Sequence, residues 1–498
     1  VGERSHDFVI RGASIIDGSG AAAWTGDVAV RGDRIVAVGE VREPAARSVE
    51  ASGLALSPGF IDVHSHDDFA VLFEPEMSAK LLQGVTTDVV GNCGLGAAPH
   101  REAAVTAAAF TPGRMLAPYE GYAGYLAAID RDPPSLNVAA LVGHGTIRAA
   151  AMENPALESS EVERGRMRAL LEEGLEAGAV GLSTGLIYEP GRNAREDEII
   201  FLARALAGAG ALYTSHMRDE SLGLVDSVRE TIRVGETAGV AVQISHHKAA
   251  GRAAWGMVRE SLRQIDEARA RGVDVAADQY PYTSASTILA AVVQNRWIEG
   301  ASAAGAGRAL GGDEVVIASS AKHPEWDGRS LAEIGAGTHE SPFETARRVL
   351  AEDPAVWAIL HMMSEDDVRE VMRHPTTLIG SDGLPTGGKP HPRLCGTFAR
   401  VLGRYVRDEH VLGLEDAVHR MTGASALRFG LEGRGFVRPG FFADLVLFDP
   451  KRIADRATPS DPRCPPDGIA NVFVNGVEVV RDGHHTHARP GRALRRGR

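Results

Sequence analysis

Eight short apolar runs recur along the middle of the chain. Each ends in polar or glycine residues and is followed by a helix-forming stretch rich in Ala, Leu and Arg. They are Gly59–His64, Thr86–Asn92, Val138–His144, Ala179–Ser183, Leu212–His216, Val240–His246, Val273–Tyr280 and Thr377–Asp382. Eight strand–helix alternations predict an α/β fold, a parallel (β/α)8 TIM-like barrel. In such barrels the chemistry sits at the C-terminal ends of the strands. One interval breaks the rhythm. The stretch between Tyr280 and Thr377 is far longer than the others and contains a strand-like run, Glu314–Ser320. An insert after strand seven is expected near residues 288–345, and long loops of this kind are usually functional.

The strand ends carry the reactive side chains. Strand one delivers Asp62-Val63-His64-Ser65-His66. Alternate residues of an extended chain share a face, so His64 and His66 can reach one metal ion. Strand two ends Gly91-Asn92-Cys93-Gly94, where a thiolate would be a strong zinc ligand and the glycines allow close backbone approach. Strand five ends in His216, strand six in His246-His247-Lys248, and strand eight in Ser381-Asp382-Gly383. Each residue taken singly has a packing or hydrogen-bonding explanation. Together, on one barrel face, they point to metal-assisted hydrolysis. In that chemistry a divalent ion lowers the pKa of water to ~7 and polarises a carbonyl. A carboxylate beside it, best supplied by Asp382, takes the water proton and passes it to the leaving amine.

Both chain ends read as short strands. Phe8–Gly18 and Asp27–Gly39 are hairpin-like, and so are Ala443–Asp449 and Val472–Val480, the last folding around Asn475-Gly476. One small β-sandwich or barrel domain assembled from both ends is expected. The organisation is then residues 1–57 and 435–498 for the small domain, with an Arg-rich tail over 489–498 read as solvated or subunit-contacting, around a barrel over 58–434.

Composition narrows the classes. Lys and Arg number 53 against 66 Asp and Glu, for a net charge of −13, which disfavours a general nucleic-acid or anionic-membrane binder. No apolar run approaches the ~20 residues needed to span a bilayer. Three Cys give no disulfide framework, and no signal-peptide pattern opens the sequence, so a cytoplasmic protein is expected. Only five Lys occur, Lys80, Lys248, Lys322, Lys389 and Lys451.

These motifs resemble the amidohydrolase superfamily and, within it, the D-aminoacylases (N-acyl-D-amino-acid deacylases). Matching stretches include Pro58–Asp68, Gly84–Gly94, Ser215–Glu220, Ser245–Lys248, Tyr280-Pro281-Tyr282, Ser381–Pro385, His391-Pro392-Arg393 and Gly435–Asp449. The resemblance implies zinc-dependent hydrolysis of the amide of a small-molecule N-acyl-D-amino acid to a carboxylate and a free D-amino acid. It implies tight zinc on Cys93, His216 and His246, and a second, weaker metal position on His64 and His66 with Cys93 able to bridge. It also implies a clamp for the substrate α-carboxylate made by Lys248, Arg393 and a Tyr, with Tyr280 preferred over Tyr282 because it lies nearer the strand end. Many amidohydrolases bridge their metals with a carboxylated Lys after strand four. Here that position reads Gly181-Leu182-Ser183-Thr184-Gly185, with no Lys nearby, which favours the Cys variant and argues against a typical hydantoinase. The alternative is another amidohydrolase activity on the same metal site, acting on a cyclic amide, a lactone or a dipeptide.

The chain departs from the family in the loop after strand four, where Glu189, Arg192 and Asn193 are more polar than usual. Two readings follow. Either the pocket takes a polar or acidic side chain, or these residues form a solvated rim. His144 either lines the site or is structural, and His247 is expected to pack behind the metal ligands.

Overall fold

The computed structural model describes residues 6–111, 113–301 and 309–497. Its centre is an eight-stranded parallel sheet. In chain order the strands are Phe60–Asp62, Val85–Val90, Asn137–Gly143, Gly181–Gly185, Leu212–His216, Val242–Ile244, Val275–Gln279 and Thr377–Ile379. Each pairs with its sequence neighbour, and strand seven pairs with strand eight across the long insert. The sheet closes through a parallel bridge between Ser65 and Gly383 just above strands one and eight. There His64 O accepts from Asp382 N at 2.7 Å and Gly383 O accepts from His66 N at 3.1 Å. The barrel strands are buried on both faces, as parallel strands under a helical layer must be.

The connecting helices carry ordinary start and stop signals. Glu161–Ala177 begins at Ser160, which forms a reciprocal capping box with Glu163, and stops at Gly178, whose φ of 113° a side chain would strain. No helix among the described residues is long and apolar enough to cross a membrane.

The chain ends build one sheet. Its order runs from His484–His485 through Val477–Arg481, Ile469–Val474, Leu445–Phe448, Ala55–Pro58, His6–Ile15 and Trp24–Arg31 to Arg34–Gly39. Ala45–Glu50 also pairs with His6–Ile15. The seam between the two ends is the antiparallel pairing of Ala55–Pro58 with Leu445–Phe448. Phe8 and Phe473 sit three strand spacings apart, about 14 Å on a flat sheet, yet their rings stack at 4.8 Å. The sheet therefore folds over on itself around Phe8, Ile10, Val28, Leu56, Leu445 and Phe473.

Two regions differ from the sequence expectation. The insert is organised by a three-stranded antiparallel sheet of Ser284–Ile288, Val315–Ser319 and Trp357–His361, which reaches beyond residues 288–345 on both sides. Its first strand follows directly on Tyr280-Pro281-Tyr282, and its last lies shortly before strand eight, so both look like barrel connections in sequence. The Arg-rich tail is not a loose solvated arm. Arg492 O accepts from Val138 N at 2.9 Å and Leu494 N donates to Val138 O at 2.7 Å, so the tail adds its backbone to the start of strand three. Arg498 lies outside the described residues.

Candidate active site

The side chains that close the barrel mouth are held in unusual backbone geometry. Cys93, His246 and Asp382 have φ of 55°, 36° and 49°, in the left-handed region that side chains disfavour. Each stands just past its strand, where the left-handed turn bends the chain inward. Gly94 follows Cys93 with φ of 74°, and a Cβ there would meet Gly185 N at 2.7 Å, so strands two and four approach as only glycine allows.

The sequence-derived ligands converge. Cys93 Sγ lies 3.3 Å from His64 Nε2 and 3.5 Å from His246 Nε2. His246 Nε2 is 2.9 Å from His216 Nδ1, and Asp382 Oδ1 is 3.0 Å from His66 Nε2 and 3.6 Å from His64 Nε2. All are buried. Donor atoms of His64, Cys93, His246 and Asp382 lie within 4.8 Å of one another, as do those of His216, Glu220 and His246.

Carboxylates behind the imidazoles fix which nitrogen faces the centre. Asp278 Oδ1 lies 3.0 Å from His64 Nδ1, and Glu220 Oε1 lies 3.0 Å from His246 Nδ1. Asp278 favours the His64 tautomer that carries its proton on Nδ1 and turns the Nε2 lone pair toward Cys93, as metal-bound histidines require; His246 Nδ1 faces both Glu220 and the Lys248 ammonium, the latter at 2.7 Å. His216 Nε2 and His66 Nδ1 are buried without a hydrogen-bond partner. One thiolate and several imidazoles on a common centre suit zinc.

Electrostatics agree with these roles. Burial pushes the Cys93 thiol up, but His64, His246 and His216 outweigh it and hold the thiol well below its ordinary value. Burial likewise opposes ionisation of Asp382, yet Arg393 and the imidazoles of His246, His66 and His64 keep it well below the usual carboxylate range. Asp382 is therefore a charged base. Glu220 is held low against burial by Lys248, His216 and His246.

A cavity of about 400 Å³ opens from this centre. Its floor is His66, Cys93, His216, His246, Lys248, Tyr280 and Asp382, and its walls are mainly apolar. The inserted sheet supplies Ile288, Trp357 and Leu360, with Trp297 and Met362 nearby in the insert; Leu95, Phe110, Ile187 and Leu384 complete the enclosure. The insert is latched to the helix His100–Phe110, since Trp357 Nε1 donates to Ala109 O at 3.1 Å and its ring packs on Phe110 at 4.8 Å. Lys248 is the only Lys or Arg lining the cavity among the described residues. Glu189 borders the cavity but is half-exposed and bonded to Asn193, with Arg192 3.7 Å away. These residues form the rim.

Arg393 packs behind Tyr280 and does not itself line the cavity. Arg393 begins the helix Arg393–Arg400 and is fully buried, with its guanidinium 4.5 Å from the Tyr280 ring centre. Its Nη1 lies 2.9 Å from Asp382 Oδ2, but neither Nη1 nor Nε makes an aligned hydrogen bond, and the buried Tyr280 hydroxyl has no partner either. Lys248 Nζ contacts Glu220 at 2.7 Å. Tyr282 turns away, against His391 and Arg400, and does not line the cavity.

A family model described as the amidohydrolase family matches residues 47–480. The chain belongs to the amidohydrolase family. It is 44% identical over 491 residues to N-acyl-D-glutamate deacylase of Alcaligenes xylosoxydans xylosoxydans, covering 98% of this chain and 96% of that one. It is 42% identical over 493 residues to D-aminoacylase of the same organism, covering 98% of each. Its structure matches that of N-acyl-D-glutamate deacylase from Bordetella bronchiseptica, complexed with zinc and a phosphonate inhibitor that mimics the tetrahedral intermediate. That match has a TM-score of 0.89 and 43% identity, over 98% of this chain and 99% of that one.

Sequence reasoning missed several residues around the centre of this amidohydrolase. Glu220 and Asp278 were not assigned, although each had a signal: Glu220 follows His216 by four residues, and Asp278 sits two before Tyr280 on strand seven. Tyr188, edge-on to His216 at 4.8 Å, was hidden in the loop after strand four. His144 does not reach the site; it pairs with Glu198 at 2.8 Å. His247 packs behind the ligands, 2.9 Å from Ser261 Oγ.

Proposed function

We infer that this amidohydrolase cleaves N-acyl-D-amino acids to a carboxylate and a free D-amino acid, and that its preferred substrates carry large apolar side chains. The observation that carries the reading is the group of buried donors without an aligned hydrogen bond, Arg393 Nε and Nη1 and the Tyr280 hydroxyl, beside the ionised Asp382 that Nη1 contacts at 2.9 Å. Buried donors are normally satisfied. A free α-carboxylate, present on every N-acyl amino acid, would satisfy these, with Arg393 gripping it and Lys248 adding charge.

Cys93, His216 and His246 would hold a tightly bound zinc, and His64 and His66, with Cys93 as bridge, a weaker second ion. Zinc bound there supplies Lewis acidity, bringing the pKa of water to ~7 and polarising the acyl carbonyl. The chain's own residues do the rest. The α-carboxylate on Arg393, Lys248 and Tyr280 fixes the scissile amide against Asp382. Asp382, ionised at neutral pH, takes the proton of the attacking water on its carboxylate and returns it to the departing amine nitrogen. The inserted sheet and Phe110 exclude bulk water from the amide.

The side-chain preference is supported by the apolar walls. A substrate carboxylate there would be buried with no free cation among the described lining residues, a costly arrangement. Identity alone does not separate an acidic from a neutral preference, because the two curated relatives match almost equally well. The D preference is carried over from those relatives. The test is amine release by zinc-loaded protein from N-acetyl-D- and N-acetyl-L-amino acids. D-Leu, D-Met and D-Phe forms should turn over, L forms and substrates amidated at the α-carboxylate should not, and D-Glu and D-Asp forms should be far slower. Faster turnover of the acidic D forms would overturn the side-chain assignment while leaving the reaction class intact.

A further inference from the structure

A second group of metal-binding side chains lies away from the catalytic cavity and lines no part of it. Glu76, in the turn between barrel strands one and two, faces His485 and His487 from the last hairpin of the small domain. Ligand atoms of all three lie within 4.8 Å of one another. Glu76 Oε1 is 2.8 Å from His487 Nδ1, and Glu76 Oε2 is 3.7 Å from His485 Nδ1. Ligand atoms on one tetrahedral zinc, at about 2.0–2.1 Å from the ion, stand about 3.4 Å apart. The His485 contact lies near that value, and the His487 contact is a direct hydrogen bond that would open to admit an ion.

Two features separate this group from an ordinary surface ion pair. The His485 side chain is only 7% exposed, yet neither of its ring nitrogens has a hydrogen-bond partner. A buried imidazole facing a carboxylate with no hydrogen bond is an unexplained polar group, and a metal ion would satisfy it. The scaffold on both sides is also fixed. Thr486, between the two histidines, donates its N to Val479 O at 2.9 Å and its Oγ1 to Glu478 O at 2.8 Å. On the other side Pro75 O accepts from Ser135 N at 2.7 Å, and Met77 N closes the turn onto Glu74 O at 2.9 Å. The nearby Arg489 is committed to Asp132.

We propose that Glu76, His485 and His487 form a second metal site, for a divalent transition-metal ion of the imidazole-preferring class such as Zn2+, Co2+, Ni2+ or Cu2+. Two imidazoles and one carboxylate select that class over Mg2+ or Ca2+. The half-exposed third side leaves room for water as the remaining ligand, so the ion exchanges with solvent. The site staples the C-terminal hairpin of the small domain to the barrel, and its ion takes no part in amide cleavage.

The test is a metal count on full-length protein equilibrated with zinc in excess, for wild type, Glu76→Gln and His487→Ala. His487 is exposed, so its replacement leaves the fold intact. Wild type should hold one zinc equivalent more than either variant, and turnover of N-acetyl-D-amino acids should be equal in all three. Raising free zinc should increase the thermal midpoint of wild type more than that of the variants. Equal zinc counts in wild type and both variants would overturn the site. Loss of turnover together with the extra equivalent would overturn the separation from catalysis. Because metal content is read independently of activity, the result stands whatever substrate the enzyme prefers.

Discussion

Barrel strand one feeds two buried charge clusters, and they are built on opposite terms. Asp62, at the strand end, meets Lys80 at 2.5 Å, and Lys80 also reaches Ser381 Oγ at 2.8 Å and Asp67 at 3.1 Å. Ser381 N donates to Asp62 Oδ1 at 2.8 Å, which ties strand eight to strand one. Burial and its carboxylate neighbours outweigh Lys80 and hold Asp88 well above the usual carboxylate range. Here the chain supplies its own central cation. Two residues on, His64 and His66 enter a cluster in which a thiolate, a carboxylate and several imidazoles converge with no Lys or Arg at the centre. Arg393 and Lys248 stand only at its edge. A cluster neutralised from within closes the barrel. A cluster whose donors face one another recruits a metal and performs chemistry.

This contrast is broken most severely by Asp382→Asn. The amide keeps the shape but cannot take the water proton. Turnover should fall roughly 10³–10⁴-fold, while zinc content stays at the wild-type level. Near-normal kcat would remove Asp382 from the base role. The closing cluster is tested by Lys80→Met, which leaves Asp62 and Asp67 buried without their cation. Chemical denaturation should register a loss of about 3–5 kcal/mol. Adding Asp62→Asn should recover part of that loss, because one uncompensated charge is then gone. Unchanged stability in the single variant would mean that Lys80 does not hold the seam.

The sequence made the barrel readable because parallel strands buried on both faces appear as apolar runs, and eight of them were countable. It made the convergence of His64, His66, Cys93, His216, His246 and Asp382 readable because they fall at strand ends on one barrel face. What lay behind was less readable. Asp278, in strand seven, and Glu220, in the loop after strand five, lie at suggestive spacings from Tyr280 and His216, but nothing local reveals that their partners are His64 and His246. Lys80 joins residues separated by up to 301 positions, a relation fixed by closure alone. The polarity of Glu189, Arg192 and Asn193 was legible, but its direction was not; only the folded loop shows that these groups bond to one another at the rim. The tail misled in the same way, since five arginines look solvated until the backbone between them pairs with strand three.

Glu198 extends the neutralised pattern to the helix layer. It pairs with His144 at 2.8 Å and with Arg148, and it accepts from Ser159 at 2.6 Å. Burial opposes its ionisation, but these partners outweigh burial and pull its pKa down to about 2. A carboxylate lowered in the folded state contributes stability that is fully present above its unfolded pKa of about 4.3 and is lost as pH falls toward the folded value. The contribution is on the order of 3 kcal/mol. Glu198→Gln should therefore lower stability at pH 7 and flatten its decline between pH 5 and 3 in denaturation experiments. A parallel decline in the variant would place the acid sensitivity elsewhere.

The smallest expected change sharpens the comparison at the cavity edge. Arg393→Lys keeps the positive charge beside Asp382 but removes the planar fork whose Nε and Nη1 stand without acceptors. If Arg393 only neutralised Asp382, as Lys80 neutralises Asp62, lysine would serve nearly as well. If it grips a substrate carboxylate, the lost charge-assisted hydrogen bond should cost about 1.5–3 kcal/mol. That would be read as a roughly 10- to 100-fold fall in kcat/KM, concentrated in KM, for a substrate with a free α-carboxylate. Zinc content and the pH dependence of kcat should stay as in wild type, because Asp382 keeps a cationic neighbour. A fall confined to kcat, with KM unchanged, would instead assign Arg393 to the base and leave the α-carboxylate to Lys248 and Tyr280.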